Sequence, residues 1–214
     1  IEQGADVLNL SLNYYAPNSS GSDPLDRMLD WAAYERGILV AVAAGNISGG
    51  NGTSQVRSPG SIYNGFSVGR TDADFDQVHS DSATATTADG RAKPDLVAPG
   101  TSLTLANADW ETGNAWDHWQ NGTSFSSPHV AGIMAQQLEY GNTNHLSTDP
   151  LVFRATIVNS TLPVMNKQGL DWAPAQATNS SGVYEVTQPL DAHSGAGQID
   201  GERLYALYAA GEQA

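Results

Sequence analysis

The sequence predicts a layered α/β fold in which a mostly parallel sheet is flanked by helices. Three observations carry that prediction. A strand, a helix and a second strand follow one another between residues 7 and 44, the order of a βαβ unit. The run ILVAVAA at 38–44 is apolar throughout, as in a strand buried on both faces of a parallel sheet. From Ser124 to about Glu139 the residues Val130, Ile133, Met134 and Leu138 recur at helical spacing, which gives a helix with one apolar stripe to lay on that sheet.

Each element has its own warrant. In ADVLNLSL, Val7 or Leu8, Leu10 and Leu12 alternate with polar residues and read as a strand, followed by the turn-rich loop NYYAPNSSGS. Asp23 is an N-cap and Pro24 occupies the first helical turn, where its missing N–H is no loss; Leu25, Met28, Leu29 and Ala32 share a face, and Gly37 ends the helix. NGFSVGR (64–70) and DLVAPG (95–100) supply two more short strands. Pro128, at the margin of the next helix's first turn, predicts a late start or a slight kink. Asp149 and Pro150 open a helix over 149–160, residues 161–198 read as irregular or hairpin-like, and DGERLYALYAAG closes the chain as a helix. No internal repeat and no linker marks a second domain, so residues 1–214 are expected to form one.

Composition excludes several functions. The excess of 23 acidic over 9 basic residues, a net charge of −14, repels phosphate backbones and anionic lipid, so neither nucleic acid nor membrane is an expected partner. No apolar run approaches a membrane span. With no cysteine there are no disulfides and no thiolate metal sites. The Asn-x-Ser/Thr triplets at Asn9, Asn18, Asn46, Asn51, Asn121, Asn159 and Asn179 are read as a product of an Asn/Ser/Thr-rich composition. The opening IEQGADVLNLSL has no signal-peptide pattern and enters a strand at once, so it is expected to be a cut end.

In open α/β sheets, sites form beyond the carboxyl ends of strands. There the chain places Gly45 and Asn46 after 38–44, and Pro99 and Gly100 after 95–98, followed by an aromatic-rich loop to Gly122, Thr123 and Ser124. Acyl transfer needs a nucleophilic oxygen, a base, and fixed donors where a carbonyl oxygen becomes an anion. Ser124 at a helix N-terminus has an outward N–H and a favourable helix dipole, and Asn46 adds a side-chain N–H. An α/β-hydrolase elbow is excluded because Ser126 stands where glycine is required, and GNISGGNGTS lacks the Gly-Lys-Ser/Thr of a phosphate loop. Asp72, Asp74 and Asp76 begin like an EF-hand, but Gln77 and Ala83 replace its glycine and glutamate, leaving a solvated turn and no metal ligands.

The stretch GTSFSSPHVAG (122–132) resembles the nucleophile motif of the subtilisin-like serine proteases, or subtilases. GADVLNLSL (4–12), AVAAGN (41–46), RSPGS (57–61), KPDLVAPG (93–100) and GAGQID (195–200) are similar to further blocks of that family, in the family's order. The resemblance implies a serine endopeptidase that hydrolyses peptide bonds through an acyl-enzyme on Ser124, with Asn46 and the Ser124 N–H as oxyanion donors. It also implies an extended substrate along Ser11, Leu12 and Asn13, and a specificity pocket walled by Ala43, Ala44 and Gly45. Asn13-Tyr14-Tyr15 departs from the glycine common after Ser-Leu. No cofactor is required; the resemblance allows structural calcium at positions without a sequence trace, and implies a secreted protein.

Subtilases place their triad in the order Asp, His, Ser, and neither the Asp-Thr/Ser-Gly block nor the His-Gly-Thr-His block occurs here. His129 is five residues past Ser124 and points about 140° away around the helix. His118 beside Asp117 is read as part of a surface loop packed by Trp110, Trp116 and Trp119, and His79, His145 and His193 as surface residues. The expectation is therefore the C-terminal portion of a subtilase catalytic domain, lacking the N-terminal strands and the Asp and His segments and inert alone. Its partners would be a polypeptide substrate and the missing part of its own domain, with self-association through an exposed sheet edge. The alternative is a degenerate binding or scaffolding module, against which the retention of both Ser124 and Asn46 speaks.

Overall fold

The structure is a computed structural model that describes residues 4–14, 20–47, 55–172, 174–178 and 184–211. In chain order its elements are β1 (Val7–Leu10), α1 (Pro24–Arg36), β2 (Leu39–Ala43), β3 (Phe66–Thr71), β4 (Ala85–Thr86), β5 (Ala92–Lys93), β6 (Leu96–Pro99), β7 (Leu103–Ala106), β8 (Trp116–Gln120), α2 (Thr123–Asn144), α3 (Pro150–Ser160), β9 (Pro174–Thr178), β10 (Tyr184–Asp191) and α4 (Gly201–Ala209). Tyr15 and the triplets at Asn18, Asn51 and Asn179 lie outside the described residues.

The central sheet has the order β1-β2-β3-β6 and all its pairings are parallel. The unbroken apolar run of β2 follows from its place between two cores. Val40 and Val42 face Leu29, Ala32, Ala33 and Ile62 on the α1 side. Leu39 and Ala41 face Val130, Met134, Phe153, Ile157, Leu204 and Tyr208, contributed by α2, α3 and α4. A strand with apolar neighbours on both faces cannot alternate with polar residues.

The helix boundaries obey their caps. Asp23 accepts from Leu25 N–H at 3.2 Å and Gly37 closes α1 with φ 66°. Asp149 and Asp200 cap α3 and α4 in the same way. Two details of α1 differ from expectation: Met28 is exposed, and Asp26 is buried in its place. Its carboxylate accepts from the Ser58 and Ser61 hydroxyls at 2.8 and 2.7 Å, and burial raises its pKa. α2 runs past Glu139 to Asn144 and carries Pro128 inside its span.

The aromatic-rich loop is corrected more substantially. It is an antiparallel β7–β8 hairpin, and Trp110, Trp116 and Trp119 are 64%, 57% and 75% exposed, so they do not pack it. The hairpin was hidden because its register is shifted between Leu103 and Leu105 and Trp119 adopts φ 62°, which breaks the two-residue alternation. The hairpin-like reading of 161–198 corresponds to the β9–β10 pair.

One buried polar node ties several elements together. Asp95, at the start of β6, accepts from Lys93 Nζ at 2.6 Å, Ser67 N–H at 2.7 Å and the Arg154 guanidinium at 3.1 Å. Lys93 also donates to the Ile62 carbonyl at 2.8 Å, and burial pulls its pKa down. Removing Asp95 would strand a buried ammonium, whereas removing Lys93 leaves Asp95 its other two donors. Asp95→Ala is therefore expected to lower unfolding free energy by about 3–5 kcal/mol and Lys93→Met by clearly less, as measured by urea denaturation.

Candidate active site

The start of α2 comes down on the carboxyl ends of the sheet strands, and glycine makes that approach available. A Cβ on Gly100 would sit 2.1 Å from Ser126 Oγ and 2.9 Å from the Gly122 carbonyl. Gly122 N–H donates to the Gly100 carbonyl at 2.9 Å, which fixes where the helix begins relative to β6.

Pro128 decides what happens next. It has no N–H, so the Ser124 carbonyl four residues earlier has no partner within the helix. Ser11, just beyond β1, fills that vacancy: its hydroxyl donates to the Ser124 carbonyl at 2.7 Å. In return Ser124 Oγ donates to the Ser11 carbonyl at 3.3 Å. Asn9 closes the circuit, donating through Nδ2 to Ser11 Oγ at 3.0 Å and accepting through Oδ1 from Ser127 Oγ at 2.6 Å.

A second clip joins α2 to the end of β2. Thr123 Oγ1 accepts from Gly45 N–H at 3.1 Å, and Thr123 N–H donates to Asn46 Oδ1 at 3.1 Å. With its oxygen engaged, the Asn46 amide has one orientation and its Nδ2 turns toward Gly122. A Cβ placed on Gly122, whose φ is 146°, would lie 3.5 Å from Asn46 Nδ2 and 3.7 Å from the Ser124 nitrogen. The missing side chain leaves a space faced by two N–H donors, the second an N–H at the helix start with no intrahelical acceptor. Such a space suits an oxygen carrying developing negative charge.

The segment behind Asn46 is itself held. Gly45 accepts from Ala83 N–H at 2.8 Å, Ile47 N–H donates to the Asp81 carbonyl at 2.9 Å, and Lys167 Nζ donates to the Ser82 carbonyl. Arg70 pairs with the Asp81 carboxylate at 2.8 Å. His79 Nδ1 accepts from Asp81 N–H at 3.0 Å.

The structure thus brings Ser124, Asn46, Ser11 and Gly45 together. Leu12 is exposed beside them, and Asn13 lies 3.6 Å or less from a Cβ built on Gly45. Ala43 and Ala44 are fully buried, Ala44 in a small cluster with Val56 and Ala83. The histidines are elsewhere. His129 faces solvent on α2, His118 Nδ1 is 3.0 Å from Thr104 Oγ1 on the hairpin, and His145 ends α2. His79 and His193 are not the surface residues expected: both are partly buried, His193 with its Nδ1 4.0 Å from Asp191. Among the described residues no group of three or more His, Asp or Glu side chains is placed to hold a metal ion. The site roles of Asn9 and Thr123 escaped the sequence reading, and Pro128 was read there only for its effect on the helix start, although a proline four residues after a candidate serine is a visible sign of a freed carbonyl.

Comparison with known proteins identifies the family. The subtilase family model matches residues 1–197, and the chain belongs to that family. It is 34% identical over 143 residues to a thermophilic serine proteinase of Bacillus sp. strain AK1, covering 67% of this chain and 30% of that protein. It is 33% identical over 137 residues to subtilisin E of Bacillus subtilis, covering 63% and 31%, and 25% identical over 180 residues to pyrolysin of Pyrococcus furiosus, covering 72% and 12%. The chain therefore spans about a third or less of the curated relatives it matches. Among solved structures the patellamide maturation protease PatA shares the fold with a TM-score of 0.70 at 21% identity, over 99% of this chain and 65% of that one. The prenylagaramide maturation protease PagA does so with a TM-score of 0.67 at 19% identity, over 96% and 63%.

The support behind Asn46 carries a pH dependence. Burial first, and then the nearby Arg70, hold His79 below its ordinary value of 6.5, with Asp81 and Asp72 opposing and Lys167 assisting. The folded chain thus disfavours the protonated ring, whose Nδ1 could no longer accept from Asp81. This contribution to stability is fully present above the ordinary value and is lost as pH falls below it toward the lowered folded value. Urea midpoints measured at about pH 7.5 and about pH 5.5 should differ less in His79→Gln than in the unmodified chain.

Proposed function

We propose that this chain carries the acylation half of a peptide-bond-hydrolysing site, with Ser124 as nucleophile and Asn46 Nδ2 and the Ser124 N–H as the oxyanion donors. The observation that carries this reading is the space at Gly122, 3.5 and 3.7 Å from those two nitrogens. An extended polypeptide lying along Ser11, Leu12 and Asn13 would bring a carbonyl carbon to Ser124 Oγ and its oxygen into that space. Gly45, with Ala43 and Ala44 beneath it, is read as one wall of the pocket for the side chain beside the scissile bond.

The reaction requires a base to take the Ser124 proton and return it to the leaving amine, and then to activate water against the acyl-enzyme. Ser124 Oγ here has a backbone carbonyl as its partner and no histidine. We assign the base and its orienting acid to a segment upstream in the same domain. Its place is beside β1, which among the described residues pairs only with β2. A groove of about 440 Å³ lined by Asp6, Val7, Ala135, Leu138, Glu139, Asn142 and Thr143 runs there. No cofactor takes part in this chemistry, and by its family the parent protein is read as secreted.

A fluorophosphonate probe tests the assignment. The chain alone should label slowly, and joining the upstream segment should accelerate labelling by orders of magnitude. Ser124→Ala should abolish labelling, and Asn46→Ala should reduce peptide turnover by about 10²–10³-fold, the loss such a donor causes in a subtilisin. Rapid labelling of the isolated chain would show that the base is already present. The β1 edge, which carries no partner strand among the described residues, also predicts concentration-dependent self-association of the isolated chain, suppressed by the upstream segment. Sedimentation velocity across a hundredfold concentration range would reveal it, and a monomer throughout would refute it.

A further inference from the structure

The β7–β8 hairpin next to Ser124 has features that the acylation reading does not use. It carries three of the chain's five tryptophans, Trp110, Trp116 and Trp119, each more than half exposed. Exposed tryptophans grouped on one element are unusual on a solvated surface and common at recognition sites. Trp119 also holds φ 62°, a conformation that bulky residues rarely adopt. It lies where the shifted register leaves β8 one residue longer than β7, between the pairs Leu105–Asp117 and Leu103–Gln120. Strain at an exposed aromatic residue brings no packing in return, and points instead to a role in presenting the ring.

The charge of the hairpin says what the rings would meet. Between Lys93 and Arg154 the sequence contains no lysine or arginine. The hairpin's own charged residues are Asp109, Glu111 and Asp117, all exposed, with Asp109 and Glu111 flanking Trp110 at the tip. Elsewhere this chain shows how such a pairing takes a cation. The Arg91 guanidinium lies 3.6 Å above the Tyr63 ring and 2.9 Å from Asp89. The hairpin offers the aromatic and carboxylate halves of that arrangement, and its own stretch has no cation to fill it.

We propose that the β7–β8 hairpin docks a basic segment of a polypeptide, its tryptophan faces and carboxylates together receiving arginine or lysine side chains. The base of the hairpin is fixed to the site by Gly122 N–H on the Gly100 carbonyl at 2.9 Å and Ser102 N–H on Asn121 Oδ1 at 2.9 Å. Trp119 is five residues before Ser124, so their Cα atoms are at most about 18 Å apart. A polypeptide crossing Ser124 therefore passes within a few residues of the hairpin. The substrate role of this surface rests on the proteolysis reading; the binding itself does not.

Tryptophan fluorescence of the full chain, titrated with an arginine- and lysine-rich peptide and with a glutamate-rich peptide of equal length, tests this. Saturable quenching by the basic peptide alone is expected, weakened severalfold in about 0.5 M salt because exposed charges are screened. Trp110→Ala/Trp119→Ala should weaken binding by about 3- to 30-fold with unchanged far-ultraviolet circular dichroism. Asp109→Asn/Asp117→Asn, which preserves shape, should weaken it and flatten its salt dependence. Glu35→Gln/Glu202→Gln, exposed on α1 and α4, should leave it unchanged. Ser124→Ala should bind as the unmodified chain does, so a failed proteolysis reading would not disturb the result. Four outcomes would overturn the proposal: equal binding of both peptides, no saturable binding, the same loss in both acidic variants, or quenching driven only by the concentration of the chain itself.

Discussion

The arrangement around Ser124 depends on one carbonyl that its own helix cannot satisfy. Pro128 withholds the N–H that would have met the Ser124 C=O, and Ser11 Oγ supplies the missing donor from the end of β1. The same proline therefore loosens the first turn of α2 from itself and binds it to the sheet. Each bond of the Ser11, Ser124, Asn9 and Ser127 circuit contributes about 0.5–1.5 kcal/mol net. Together they hold a strand end and a helix start that are more than a hundred residues apart in the chain.

The parallel sheet makes this junction productive. All four strands of the central sheet end on the same side, so the loops after β1, β2 and β6 converge where α2 begins. Two apolar cores clamp the sheet from either face, α1 on one side and α2, α3 and α4 on the other. The Asp95 node then ties β3, β5, β6 and α3 through hydrogen bonds that have direction, which apolar packing alone lacks. A rigid sheet beneath, and close contacts across Gly100 and Gly122 above, keep the donors of Ser124 and Asn46 within a few ångströms of one point.

Much of this was legible in the sequence, and the reasons differ from part to part. Caps are local chemistry, so Asp23, Pro24, Gly37, Asp149 and Pro150 placed their helix ends closely. β2 was visible through its unbroken apolar run, because it is buried on both faces, and β1 through its alternation, because it is only partly buried. Ser124 and Asn46 stood in recognisable blocks after predicted elements, and the structure brings them side by side. The hairpin was not legible, since an exposed ribbon with a bulge has neither a continuous apolar run nor clean alternation. Asp26 escaped for a related reason: its burial depends on Ser58 and Ser61, which only tertiary structure brings to it. His79 and His193 were misjudged because partial burial is a property of what surrounds a residue and has no local motif.

Asn46 has a consequence for how this site could be altered. Polar residues poised for chemistry commonly weaken a fold, and replacing them often makes a protein sturdier at the expense of its activity. Asn46 escapes that trade, because its oxygen is a structural acceptor for the start of α2 while its nitrogen faces the space at Gly122 that we propose receives the oxyanion. On that proposal stability and reactivity draw on opposite ends of one amide. A change of this residue made to harden the protein would first loosen the helix start on which Ser124 is carried.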